Sequence, residues 1–342
     1  MNIQKIAELA GVSVATVSRV FNHPDKVLPE TRERVLAVTE EHNFTPNWFA
    51  RGLTIGTTKT IALIIPAIVS DLYQNIISGV ETVAGNKGYA VIFGQTRGDR
   101  EAEYNFLKLM KERKVDGIIH VGTLFIRELN AGSLSLDMPL VHIGKSDGCD
   151  CRIHCHFDTD EAAHRLLGHL MELGHRSIGL VYDKKQDKEI AESVENALKA
   201  LAPETAGKVC FNSYVANDST EGGYLALQRI IKQNSLPDVL ITGGDLQAIG
   251  ILKAARDNKL RIPQDLALAS FNDSPVCSVV SPALTSVEMP AAKLGMTAAR
   301  LLFDSIENED DNSDYSQELI LQPKLKIRES CGNTSDIFEL FD

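Results

Sequence analysis

From residue 60 onward, short apolar runs alternate with amphipathic segments, and that alternation limits the folds open to the chain. Residues 60–68, 89–95, 117–121 and 140–144 read as strands, with helices over 73–88 and 100–113 between them. A second series follows, with strands over 152–157, 177–182, 209–215, 239–242 and 266–271. Its helices fall at 159–174, 189–201, 220–234 and 245–258. Runs that are apolar throughout suit strands covered on both faces, which is the environment of parallel strands joined by crossover helices. The units are too many for one sheet, so two doubly wound α/β subdomains are expected.

The first 60 residues follow another pattern. Ile3, Ile6, Leu9 and Ala10 read as the apolar stripe of a short helix. Gly11 can end that helix in a left-handed cap, and Ser13 can open the next by accepting an orphan amide. Val17, Val20 and Phe21 then form one face, while Val14, Ala15, Ser18 and Arg19 look outward. Two short helices around a glycine turn make a helix-turn-helix, whose second helix can enter a DNA major groove. Small side chains at Val14 and Ala15 admit base edges, and the Arg19 fork fits guanine or phosphate. A third helix is expected over 31–42, with Val35, Leu36 and Val38 apolar and Pro29 just before it. Pro46 then breaks the chain, Asn47 can cap a short segment over 48–53, and 55–59 reads as a connector.

The string Gly11-Val12-Ser13-Val14-Ala15-Thr16-Val17-Ser18-Arg19-Val20-Phe21-Asn22 closely resembles the start of the lactose-repressor/galactose-repressor (LacI/GalR) family of bacterial transcription regulators. The resemblance continues through Leu28-Pro29-Glu30-Thr31-Arg32-Glu33-Arg34-Val35, Asn43-Phe44-Thr45-Pro46-Asn47 and Ala50-Arg51-Gly52-Leu53. Gly174-His175-Arg176-Ser177-Ile178 and Ser281-Pro282-Ala283-Leu284-Thr285-Ser286-Val287 extend it through the body, to about residue 328. It implies a three-helix DNA-binding domain over 1–46, a hinge helix and linker over 47–59, and a periplasmic-binding-protein-like core over 60–330. The N-subdomain would take about 60–158 and 290–322, and the C-subdomain about 161–287 and 323–330, with an acidic tail over 331–342. It also implies operator contacts from Val14, Ala15, Thr16, Ser18, Arg19, Asn22, Asn47, Arg51 and Leu53. Thr16 and Ser18 would sit mainly on phosphate. Leu53 would be a wedge in a minor-groove step, with plain interdomain packing as its other reading. The expected partners are a pseudo-palindromic operator, a second copy in a homodimer, and a small-molecule effector. The tail lacks the leucine heptads of a tetramerising coil, so a dimer is expected.

For the effector, the resemblance points to Asp71, Tyr73, Lys145, Asp158, Asp245 and Asn272, with Tyr73 stacking on the ligand. Asp245 is equally a candidate cap of the helix that begins there. The chain departs from the family at this cleft. Ile190 stands where a ligand-contacting arginine is common, and no arginine occurs between Arg176 and Arg229. Ser193 replaces a glycine, Asp218 lies where an aromatic is frequent, and Gly244 replaces an asparagine. A bidentate arginine is the usual clamp for phosphate or carboxylate. Its absence points to a neutral or cationic polyhydroxylated effector, a sugar or sugar derivative.

Composition decides what else is excluded. A net charge of −11 looks wrong for a DNA binder, but residues 1–60 carry +1 and the rest −12, so affinity would come from a local face. No apolar run approaches the ~20 residues that cross a bilayer, and no charged-then-apolar leader opens the sequence, so a cytoplasmic protein is expected. Cys149, Cys151, His154, Cys155 and His156 form a dense cluster with structural, metal and redox readings. Its spacing matches no structural zinc pattern, and neither a metal nor another cofactor is expected. There is no G-x-S-x-G, P-loop or G-x-G-x-x-G motif, so an enzyme is not expected. Two classes remain: a ligand-controlled DNA-binding regulator, expected to repress a carbohydrate uptake or catabolism operon, and a cytoplasmic sugar-binding or sugar-modifying protein with an incidental helical head.

Overall fold

The computed structural model describes residues 2–44, 57–68, 70–122, 136–145, 153–204, 208–308 and 316–332. The head comprises α1 (Ile3–Ala10), α2 (Val14–Asn22) and α3 (Pro29–Glu41). The Asn2 side chain accepts the Lys5 amide at 3.0 Å to open α1. Gly11 closes that helix at φ 65°, where only a glycine sits without strain. The Ser13 hydroxyl accepts the Thr16 amide at 3.1 Å and opens α2. Ile6, Ala7, Ala10, Val17, Val20 and Val35 fill the core between the three helices. Leu9, expected on that stripe, is instead 46% exposed. Steps of three and four residues from Ile3 reach Ile6, Ala7 and Ala10, and leave Leu9 on the flank. Leu36 is exposed for the same reason.

The body begins with β1 (Thr60–Ile65), α4 (Asp71–Asn86), β2 (Ala90–Gln95), α5 (Arg100–Glu112), β3 (Gly117–Val121), β4 (Leu140–Ile143) and β5 (Ile153–Phe157). It continues with α6 (Thr159–Glu172), β6 (Ser177–Tyr182), α7 (Lys188–Leu201), β7 (Cys210–Val215), α8 (Thr220–Lys232), β8 (Val239–Thr242), α9 (Asp245–Asp257) and β9 (Ala267–Asn272). The short α10 (Val276–Val279), β10 (Thr285–Glu288), α11 (Ala291–Glu307), β11 (Gln317–Leu321) and β12 (Lys324–Lys326) complete it. Two sheets result, ordered β11-β5-β4-β3-β1-β2 and β12-β10-β9-β8-β6-β7. Every pairing is parallel except that of β10 with β12. The chain passes from the first sheet to the second after Phe157, returns after Glu288, and crosses again between Leu321 and Lys324.

The alternating pattern read from the sequence stops at residue 271, short of β10, α11, β11 and β12. β10 is Thr-Ser-Val-Glu, and its buried positions are held by hydrogen bonds rather than apolarity. Thr285 and Ser286 are fully buried; Thr285 Oγ1 donates to the Arg328 carbonyl at 3.1 Å, and Ser286 Oγ lies 2.8 Å from Ser270 Oγ.

Helix α11 packs along α4 so closely that their backbones nearly touch. A Cβ on Gly295 would overlap the Ile76 carbonyl, and one on Gly79 would overlap the Ala292 carbonyl. Neither neighbour is a flexible side chain, so added bulk must push the helices apart. Gly295→Val should therefore destabilise the protein by about 2 kcal/mol or more. Gly85→Ala, on the open side of α4, should add about 0.5–1 kcal/mol. Denaturant unfolding of the two variants checks this contrast; equal effects would mean that the helix contact is looser than described.

Candidate functional site

On the head, the buried side of α2 fixes what its other side offers. With Val17 and Val20 in the core, Val14, Ala15 and Arg19 are exposed, and Thr16, Ser18 and Asn22 are half-buried. The Arg19 side chain has no hydrogen-bond or ion-pair partner among the described residues. Thr16 Oγ1 lies 2.9 Å from the Ser13 hydroxyl, and Asn22 Nδ2 donates to Ser18 Oγ at 3.1 Å. The helix thus shows two small apolar side chains and one unengaged guanidinium, flanked by hydroxyls already in place. Asn47, Arg51 and Leu53 lie outside the described residues.

On the body, the strands of the second sheet end in a ring of polar residues, as open parallel sheets require. Asp183 follows β6, Asp218 follows β7, Gly243-Gly244 follow β8, and Asn272 ends β9. Asp183 is held firmly: its Oδ1 accepts the Lys185 amide at 2.8 Å and the Gln186 amide at 3.3 Å, and its Oδ2 accepts the Asp218 amide at 3.2 Å. Asp187 Oδ2 accepts the Asp183 amide at 2.7 Å. Gly243 and Gly244 make room for these groups, since a Cβ on either would strike the carboxylate of Asp187 or Asp218.

The residues expected at the effector site divide into two sets. Tyr73, 7% exposed, and Asp71 face this acidic ring from α4 of the first subdomain. Burial pushes the Tyr73 hydroxyl up, and Asp187, Asp218, Glu189 and Asp183 push it further. Asn272 stands at φ 101°, its Oδ1 buried and without a hydrogen bond. The other three are engaged within the protein. Asp158 caps α6 through the Glu161 amide at 3.1 Å and accepts from Gln322 Nε2 at 2.9 Å. Lys145 reaches Asp160 at 2.7 Å, tying the end of β4 to α6 of the other subdomain. Asp245 does not cap its own helix; Gly244 holds that position without a side-chain bond. Its carboxylate accepts from Ser270 Oγ at 2.5 Å, the Ser274 amide at 2.7 Å and Ser286 Oγ at 3.3 Å. It therefore braces β9 and β10 from α9.

Asp183, Asp187 and Glu189 are not among the residues expected from the sequence; Ile190 stands on α7 where the resemblance implies an arginine. Ile190 is 8% exposed and lies in the core, and Ser193 Oγ donates to Asp160 at 2.6 Å. The available signal was positional: Asp183 is the first residue beyond the carboxyl end of a strand.

The cysteine–histidine cluster is only partly described, since Cys149 and Cys151 lie outside the described residues. Cys155 is buried among apolar side chains with Phe157, and burial pushes its thiol up to about 12. His154 and His156 point to the opposite face, where both Nε2 atoms meet Glu318 Oε1, at 3.1 and 3.0 Å. Among the described residues no group of three such side chains could hold a metal ion. His120, His142 and His154 are register partners on β3, β4 and β5. His142 lies well below the ordinary imidazole range, through burial first and the neighbouring His120 second. Among the described residues no helix is long and apolar enough to cross a membrane.

Comparison with known proteins follows the same division. Residues 2–47 match the family model "Bacterial regulatory proteins, lacI family", and residues 167–331 match "Periplasmic binding protein-like domain". The chain is 33% identical over 335 residues to the NTD biosynthesis operon regulator NtdR of Bacillus subtilis, covering 96% of this chain and 99% of that one. It is 32% identical over 341 residues to the HTH-type transcriptional repressor PurR of Salmonella arizonae, covering 97% of each. The lac repressor dimer bound to operator and the anti-inducer ONPF shares the fold, with a TM-score of 0.83, 21% identity, and coverage of 97% of this chain and 99% of that one.

The acidic ring has a measurable cost to stability. Burial, then Asp218 and Asp183, push the Asp187 carboxyl up to about 7. The folded state then holds a proton that the unfolded chain releases near 3.8. The resulting stabilisation is full below that value and is lost as pH rises through about 7. Asp187→Asn keeps an acceptor for the Asp183 amide and removes the charge. It should unfold at the same denaturant concentration as the parent near pH 4, and be more stable by about 2 kcal/mol at pH 8. A variant with no advantage at pH 8 would show that the carboxylate is better solvated than its burial implies.

Proposed function

The chain belongs to the lacI family of bacterial regulatory proteins, and on that premise we propose that it is a cytoplasmic homodimeric repressor of a carbohydrate uptake or catabolism operon, controlled by a small polyhydroxylated effector. The observation that carries the DNA-binding half is the exposed face of α2, where Val14, Ala15 and an unengaged Arg19 stand out from a helix anchored by Val17 and Val20. In this reading Val14, Ala15 and Arg19 read bases, and Thr16, Ser18 and Asn22 contact the backbone. Asn47, Arg51 and Leu53 belong to a hinge segment that enters the minor groove. The similar fold of the lac repressor dimer bound to operator supports a two-fold complex.

For the effector, Tyr73 and Asp71 on one subdomain and Asn272 with the acidic ring on the other frame the binding cleft. Because the chain crosses between subdomains three times, a ligand touching both would favour one relative arrangement over another. That differential binding is what couples the cleft to the head. Lys145–Asp160, spanning the two subdomains, is a contact whose strength would enter the balance.

Selection of bound duplexes from a random pool, followed by fluorescence anisotropy, tests the reading. The protein should enrich a pseudo-palindrome with half-sites about one DNA turn apart. Arg19→Ala should weaken specific binding by about 1–3 kcal/mol and leave binding to random DNA nearly unchanged. Equal losses on both would move Arg19 to the phosphate backbone, and no enrichment by the parent would end the regulator reading.

A further inference from the structure

The cleft carries negative charge that the described protein does not neutralise. Asp71, Asp183, Asp187 and Asp218 take part in no ion pair among the described residues. Of the nearby cations, Lys145 is engaged by Asp160 at 2.7 Å and Arg328 by Asp273 at 2.6 Å, while Lys184 and Lys185, between Asp183 and Asp187 in the chain, are exposed to solvent. Glu189, the next acid on α7, accepts from Thr159 Oγ1 at 2.6 Å. Asp183 and Asp187 receive backbone amides, but Asp218 receives nothing, and its Oδ1 is sealed from solvent without a partner. Opposite them stands Tyr73, a residue only 7% exposed, acted on by four of these acids and with its hydroxyl bonded to none of the described residues. Asn272 Oδ1 is a second sealed acceptor at the same strand ends. The site is therefore rich in acceptors and poor in donors. A bare metal ion does not suit it, because no three acids among the described residues are placed around one point.

Resting on the effector cleft of the proposed function, we propose that the ligand is an organic cation, a polyhydroxylated amine whose ammonium group sits between Asp187 and Asp218 beside Tyr73. An ammonium brings three donors and a positive charge into a place that offers acceptors and negative charge. Hydroxyls supply the donors for Asn272 and Asp71, and the apolar face of the ring lies on Tyr73. A phosphorylated or carboxylated sugar would add to the charge already there, and no arginine stands in the cleft segment to receive it. Burial, with neighbouring acids, pushes Asp187 up to about 7 and Asp218 up to about 6, so the empty cleft is partly protonated near neutral pH. An arriving ammonium displaces that proton: the carboxyl and the ammonium become a carboxylate–ammonium pair, and one proton passes to solvent. Affinity should then rise as pH rises from 6, for as long as the amine itself keeps its proton.

Titration calorimetry of the full chain with the 2-amino, 3-amino and 6-amino deoxy analogues of glucose, each against glucose, its N-acetyl derivative, glucose 6-phosphate and calcium ion, tests this. At least one amine should bind tenfold or more tighter than glucose and than its own acetylated form. Its binding should release protons, read from the dependence of the heat on buffer ionisation. Asp187→Asn and Asp218→Asn should each weaken that amine by tenfold or more and abolish its preference over glucose, and a circular-dichroism melt shows that each variant is folded. Preference for glucose, its phosphate or calcium, or no binding of any amine at millimolar concentration, overturns the inference. The operator selection reads the regulator itself separately: an operator with a neutral or anionic effector overturns only the amine, whereas no operator removes the regulator reading whatever the cleft binds.

Discussion

Parallel strand pairing is the constraint on which the body depends. A parallel neighbour cannot be reached by a tight turn, so each new strand demands a return crossover, and the crossovers cover both faces of the sheet. That is why Ile61, Leu63, Ile178 and Ile241 can be fully buried in strands that also form sheet interiors. The same geometry sends every parallel strand out in one direction and collects the strand ends along a single edge. Backbone and side-chain polar groups accumulate there because the ladder ends there. The polar ring of Asp183, Asp218 and Asn272 is the product of that accumulation, and α4 brings Tyr73 to it from the first sheet.

The parts of this fold that were legible in the sequence are those where burial and apolarity coincide. The central strands β1, β6, β8 and β9 announce themselves because apolar groups cover both their faces, and α2 because Val17 and Val20 have a core to enter. Legibility fails where burial is satisfied by hydrogen bonds. β10 hides Thr285 and Ser286 behind the Arg328 carbonyl and Ser270, partners far along the chain that no local pattern reveals. Asp245 shows the same limit from the other side. Its place at a helix start suggests a cap, but its acceptors are taken by Ser270, Ser274 and Ser286. Of the candidate cleft residues, Tyr73 and Asn272 stand among unsatisfied groups, whereas Asp158 and Lys145 are engaged in fixing helices. Asp183 and Asp187 carry no local signal of this kind: they stand seven and three residues before Ile190, the position at which the resemblance implies an arginine.

The two buried polar systems of the body differ in how they are resolved. Both carboxylate oxygens of Asp245 have donors, and the group draws β9, β10 and α9 together. Around Asp187 and Asp218 like charges face one another, with Tyr73 unbonded nearby. Paired polar groups in a low-dielectric interior define one arrangement, while unpaired ones leave the interior raised in energy and responsive to whatever completes them. Such a division suits a molecule that must keep its second sheet rigid while the space between its subdomains answers to a solute. The head has the same character on a smaller scale, with a tightly filled interior behind Val17 and an unengaged Arg19 in front.

The last strand of the second sheet, β12, has a consequence for how the protein survives at high concentration. It is three residues long, runs against its neighbour, and consists of Lys324, Leu325 and Lys326. An open sheet margin is a template on which another chain can add strands, and the way to spoil it is to keep it short and charged. Here the chain finishes the sheet with two ammonium groups, one of them 3.6 Å from Glu288, and leaves a newcomer few backbone groups to grip. The far side of the same sheet ends on the longer β7. Within this sheet, strand addition would therefore begin at the β7 margin, one margin being shielded and the other exposed.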